Sequence, residues 1–212
     1  AWHHVINRGA GRQRVFHSDQ SREIFLSLLG DISQLYFIEI HAYSLMDNHY
    51  HLLIHTPRGG LSHAMRHLNG VYTQKANRAR KSDGPLFRGR FKSLLVQSEE
   101  YLLDLVRYIH MNPVEAGLCG HPSDHRWTSH RAYLSKGLRP KWLVTEEVLG
   151  RFGGSQKEAL EKMRSFVCEK IPESVRKSLL EERVILGTKV FKEWVHDNWK
   201  GIEEKRGIAI RD

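Results

Sequence analysis

Only two cysteines occur in 212 residues, Cys119 and Cys168, at no metal-like spacing. A disulfide framework therefore finds no support, and reduced cytosol is the expected setting. No apolar run approaches the roughly 18 residues of a membrane span, and no signal-peptide pattern is read in the sequence, so a secreted protein is not expected. Internal repeats and low-complexity segments are absent too. The chain begins without Met, directly in strand-like sequence, so a short preceding segment is expected. Acidic residues are also scarce, 24 against 33 Lys and Arg, for a formal net charge of +9. That excess points to an anionic partner, most often nucleic acid.

What is present is unevenly placed. Thirteen of the 14 histidines, and 17 basic against 11 acidic residues, fall in residues 1–136. The chemistry is expected there, with Leu138 to Lys141 as the best boundary and residues 137–212 as a helical C-terminal extension ending in a polar tail from Gly201. Within the first part, Trp2 to Asn7 read as a strand and Arg8 to Arg12 as a glycine-punctuated loop. Ser18 caps a helix over about 19–35, its apolar side formed by Ile24, Phe25, Leu28, Leu29, Ile32 and Leu35. Phe37 to Leu45 and His49 to Ile54 form a hairpin around Met46-Asp47-Asn48. A helix follows over Leu61 to Arg80, then a strand over Phe87 to Val96. A third helix runs from about 99 and is expected to stop at Asn112, before Pro113. Strands separated by helices, with one hairpin, indicate an α+β sandwich.

In Asn48-His49-Tyr50-His51-Leu52, alternation along a strand puts His49 and His51 on one face and Tyr50 on the other. Two imidazoles so placed can share a divalent ion with a third ligand, although His-x-His also arises by chance on polar strands. In Tyr108-Ile109-His110-Met111-Asn112-Pro113, the phenol and the amide stand four apart on one helical face and can address one point. A phenol is a poor nucleophile unless a metal or base favours its oxyanion. Each residue also has a plain structural reading, Tyr108 as a core-capping aromatic and Asn112 as a helix terminator. Between Arg58 and Lys92 stand nine basic residues and a single acid, Asp83. On a strand Arg88, Arg90 and Lys92 would form a stripe along a phosphate backbone. Tyr72, Phe87 and Phe91 could stack on bases, or the two phenylalanines could face the core. His4, on the first strand, could pair beside the hairpin.

Trp2-His3-His4-Val5-Ile6-Asn7-Arg8-Gly9, Met46 to Leu53, Phe87 to Lys92 and Tyr108 to Val114, in this order, resemble the successive blocks of the single-tyrosine HUH transposases. Within them, the resemblance is to the REP-associated tyrosine transposases, and it covers about residues 1–135. Asp47, where such proteins often carry Pro, is expected to alter only the hairpin turn. The resemblance implies a ferredoxin-like core with a central antiparallel sheet flanked by helices. It implies a divalent ion, Mg²⁺ or Mn²⁺, held by His49, His51 and Asn112. Tyr108 would attack single-stranded DNA to give a covalent 5′-phosphotyrosine. The partner would be a palindromic DNA hairpin, bound by a monomer or homodimer in the bacterial cytoplasm. Its phosphates would lie on Arg88, Arg90 and Lys92, on the helix with Arg66, Arg78 and Arg80, and on Arg8 and Arg12. A hydrolytic nuclease and a non-cleaving palindrome-binding regulator are the rival functions.

Overall fold

The computed structural model describes residues 1–181 and 184–206. Five elements follow in order: β1 (Trp2–Arg8), α1 (Asp19–Tyr36), β2 (Glu39–Met46), β3 (His49–His55) and α2 (Leu61–Arg80). Ser18 starts α1 through a reciprocal capping box with Ser21, each hydroxyl accepting from the other residue's backbone N–H. Phe37, expected to open the next strand, instead ends α1 in the left-handed region and remains exposed. The hairpin turn narrows to Asp47 and Asn48. Asp47 does more than shape it: its carboxylate pairs with Arg22 and Arg14, and its carbonyl accepts from Val15 and Phe16, fastening α1 and its leading loop to the hairpin.

β4 (Lys92–Val96) completes a βαββαβ unit, and α3 (Ser98–Glu115) follows it. Its strands lie in the order β2-β3-β1-β4, every neighbouring pair antiparallel, which is the ferredoxin-like arrangement. Two expectations change here. Arg88 to Arg90 form a bend rather than the start of β4, because Phe87 pairs with Gly9 and Arg88 N–H with the Arg8 carbonyl before the ladder begins. And α3 continues through Pro113, since in the last turn a missing N–H costs one rung and no more.

The remaining elements are α4 (His130–Leu134), α5 (Glu146–Gly150), α6 (Gln156–Cys168), α7 (Glu173–Glu181), β5 (Ile185–Leu186) and α8 (Lys189–Arg206). β5 runs parallel beside β4, so the sheet has five strands and is mixed. The polar stretch from Gly201 enters α8, and its last residues, 207–212, lie outside the described ones. Among the described residues no helix is long and apolar enough to cross a membrane, and both cysteines are free thiols.

The sheet separates two cores. On one face Val5, Tyr43, Leu45, Tyr50 and Leu52 pack against Phe25, Leu29 and Ile32 of α1 and Met65, Leu68 and Tyr72 of α2. Phe87 is buried in this layer and the buried Tyr72 donates its hydroxyl to the Val15 carbonyl, so neither presents a free face for a base, while Phe91 packs against the layer half-buried. On the other face Ala42, Leu53, Leu94 and Val96 meet Leu102, Leu105, Val106 and Ile109 of α3, with Met163 and Val167 of α6 behind. The functional residues emerge from this second layer.

Candidate active site

The antiparallel register sets Arg8 opposite His49 and Ile6 opposite His51. Directly opposed side chains share a face, so Arg8, His49 and His51 all stand on the α3 side of the sheet. Tyr50 points the other way, fully buried, and donates its hydroxyl to Asn69 Oδ1 at 2.8 Å. α3 crosses this face and brings Tyr108 to His51, their ring centres 5.6 Å apart and nearly perpendicular. The His49 and His51 rings are 5.1 Å apart. One turn on, α3 sets Asn112 beside the His49 ring and the Tyr108 hydroxyl, close enough for its amide to bias the titration of both. Continuation of α3 through Pro113 keeps Asn112 helical and therefore aligned with Tyr108.

His4, two residues before Ile6 on β1, joins the group. It is 0% exposed, and its Nε2 lies 2.9 Å from His51 Nδ1. His49 Nδ1 lies 2.7 Å from Asn48 Oδ1. Each histidine of the pair is thus held through Nδ1, and ligation through Nε2 requires that each Nδ1 carry its proton and donate it to these partners. His4 Nδ1 is buried with no partner.

Burial dominates the titration of the site. It lowers His4 to about 3 and, with help from the Arg8 charge, His49 to about 4; His51, between His4 and His49, falls well below the usual histidine range. The Tyr108 phenol is raised by burial and by Glu115, while Arg176, Asn112 and Arg8 pull it down. At neutral pH the imidazoles are therefore neutral, as ligation requires, and the phenol keeps its proton. Two imidazoles and an amide, all neutral donors beside a cationic strand end, fit a divalent ion that also takes phosphate oxygens.

A pH effect on folding follows. A histidine kept neutral in the fold titrates normally near 6.5 when unfolded, so the unfolded chain binds more protons below that value. Stability should be complete above about pH 6.5 and should fall as the pH drops towards 4. His4 alone should account for about 2 kcal/mol between pH 7 and 5. Urea unfolding in EDTA at the two pH values measures it, and an unchanged midpoint with an unchanged slope would contradict it.

The eight basic residues expected on DNA are all exposed, and none forms an ion pair with a described residue. They fall into two groups. Arg8 lies in the His49 row, Lys92 is opposite Ile6 on the same face, and the bend with Arg88 and Arg90 is bonded to the Arg8 backbone. Arg12 follows in the short 3-10 turn Ala10–Arg12. Arg66, Arg78 and Arg80 lie on α2, in the layer behind the sheet.

One cluster went unread in the sequence. Among the described residues, Glu39, His41 and His55 place potential ligand atoms within 4.8 Å of one another, at the opposite end of β3 from His49. Glu39 and His41 share a strand face by alternation, but that His55 lies across from them depends on the register of β2 against β3, which no residue pattern announces.

Fold and site together define a ferredoxin-like protein whose sheet carries a histidine pair beneath a helical tyrosine and amide. Residues 1–112 match the family described as IS200-like transposases, and the chain belongs to that family. Among solved structures, a REP-associated tyrosine transposase bound to a REP hairpin is 19% identical with a TM-score of 0.54, over 68% of this chain and 84% of that one, which shows the shared fold. A candidate transposase from Deinococcus radiodurans R1 is 21% identical with a TM-score of 0.40, over 53% of this chain and 89% of that one. No curated protein matches the chain.

Proposed function

We propose that this transposase cleaves and rejoins single-stranded DNA beside palindromic hairpins, through a covalent bond to Tyr108. Residues 1–136 would form the catalytic unit and 137–212 its helical extension. The observation that carries the reading is the convergence of Tyr108, Asn112, His49 and His51 at the cationic end of the sheet beside Arg8. His49 and His51, through Nε2, and the Asn112 amide would hold a divalent ion, Mg²⁺ or Mn²⁺. When bound, the ion polarises the scissile phosphate.

The chain's own groups then do the following. Arg8 and the neighbouring Arg88, Arg90 and Lys92 hold phosphates and fix the strand's register. Asn112 orients the Tyr108 hydroxyl, while the aromatic and imidazole walls around it exclude water from competing for the phosphorus. Tyr108 Oη forms a bond to phosphorus as the bond to the 3′ oxygen breaks, and the phenolic proton ends on that oxygen. The products are a 5′-phosphotyrosine and a free 3′-OH, so a second strand can reverse the exchange without an outside energy source.

The test is incubation of the full chain with end-labelled single-stranded hairpin DNA and Mn²⁺, followed by a denaturing gel. Labelled DNA migrating with the protein is expected. Cleaved DNA with no adduct would establish a hydrolytic nuclease instead, and intact DNA a binding protein.

The basic residues should show themselves in the salt dependence of binding. Replacing Arg88, Arg90 and Lys92 by Gln should flatten the slope of log K against log salt by about 2, at roughly 0.7 per single-strand phosphate contact. An unchanged slope would move the DNA path to Arg66, Arg78 and Arg80 on α2.

A further inference from the structure

We infer that Glu39, His41 and His55 form a second divalent-cation site, of the zinc type, independent of the His49–His51 pair. The backbone builds it. β2 and β3 pair as Glu39 with His55 and Ile40 with Ile54, but the next pair is Ala42 with Leu53, leaving His41 as the extra residue of a β-bulge. In a regular strand the residue after Ile40 would resume the face of Glu39 and the next would turn away. Alternation thus already gives His41 the face of Glu39, and the bulge, which sets two residues against one, keeps Ala42 on it as well. His41 and Glu39 therefore stand with His55 over the α3 side of the sheet.

The three side chains are arranged as ligands. Glu39 Oε2 lies 2.7 Å from His55 Nδ1 and 3.6 Å from His41 Nε2. The Trp2 ring closes one side, its centre 4.5 Å from the His55 ring and 4.4 Å from that of His41. An ion pair between Glu39 and His55 would account for those two residues. It leaves His41 poorly answered: the side chain is 1% exposed, Nε2 has only a long contact to the Glu39 carboxylate and no hydrogen bond, and Nδ1 is buried without a partner. A buried polar atom without a partner is costly, and native proteins rarely leave one unanswered. A cation between His41 Nε2, His55 and Glu39 answers the Nε2 atom.

Two imidazoles and a carboxylate suit Zn²⁺, which takes such sets tetrahedrally. The fourth position would belong to water, since Glu39 and His55 are part-exposed and open to solvent. His55 stands six residue rises along β3 from His49, a distance of about 20 Å, so one ion cannot serve both sites. A bound ion would clamp the start of β2 to the end of β3 and to Trp2 on β1.

The test uses tag-free full-length protein stripped with chelator and titrated with Zn²⁺, alongside His49→Ala and Glu39→Gln variants. His49→Ala disables the first site and should keep a tight Zn²⁺ site that raises the melting temperature. Glu39→Gln preserves the shape of the cluster and should weaken that site at least about tenfold, with His55→Ala at least as damaging. In each variant, circular dichroism of the metal-free chain checks that the fold persists. Loss of all tight Zn²⁺ binding in His49→Ala, or an unchanged affinity in Glu39→Gln and His55→Ala, would overturn the assignment. DNA cleavage enters neither readout, so the second site stands or falls separately from the proposed reaction.

Discussion

Tyr108→Phe is expected to abolish the covalent protein–DNA adduct and lower strand cleavage by about 10³-fold or more, while hairpin binding changes by less than about twofold. The argument rests on what the substitution leaves in place. The Tyr108 ring packs edge-on to His4 and His51 within the α3 layer, and Phe makes the same contacts. The hydroxyl lies beside Asn112, so its removal deletes the proposed nucleophile and at most one polar contact. The residue is 8% exposed, and losing a poorly solvated phenol should cost little folding free energy. A gel-shift titration, a melting curve and the denaturing gel separate the three effects. Adduct formation at the parent rate in Tyr108→Phe would transfer the nucleophile to another residue. Loss of DNA binding with the adduct would mean that the hydroxyl holds the strand rather than attacks it.

Much of this arrangement was legible because it depends on short-range periodicity. The spacing of His49 and His51 gives their common face once the segment is a strand, and the spacing of Tyr108 and Asn112 gives theirs on a helix. Ser18 and the apolar positions that follow it specify α1 in the same way. Features decided by long-range pairing were not legible. Arg88 and Arg90 alternate like strand residues, yet Phe87 and Arg88 pair with the β1 end and its following glycine, and this turns them into a bend. Phe37 looks like the first residue of a strand but sits where α1 needs a left-handed terminator. Pro113 would end an isolated helix, but here the packing of α3 against β2 and β3 outweighs one missing hydrogen bond. β5 is two residues long and exists only because β4 offers an open edge. The bulge at His41 belongs to the same class: nothing within β2 marks it, since register is a property of two strands.

The role of His4 was open for the same reason, and it governs the second large effect. Both His49→Ala and His51→Ala should lower Mn²⁺-dependent cleavage by at least about 10²-fold, since each removes a ligand from a three-donor set. Their costs in stability should differ. His49 is half-buried at the strand end, and its truncation leaves the half-buried Asn48 and Asn112 amides to be rehydrated. His51 is 4% exposed and bonded to His4, whose Nδ1 already lacks a partner. Truncating His51 leaves both nitrogens of a buried imidazole unsatisfied and opens a void under α3, at a cost of about 2–4 kcal/mol. Chemical denaturation in EDTA should therefore show His49→Ala close to the parent and His51→Ala well below it, with the double variant close to His51→Ala. Replacing His4 with Leu in the His51→Ala background removes the stranded imidazole and should recover part of the loss without recovering cleavage. Equal stability of the two single variants would contradict the buried His4–His51 bond. Parent-like Mn²⁺ affinity in the double variant, measured by calorimetry, would contradict the metal site itself.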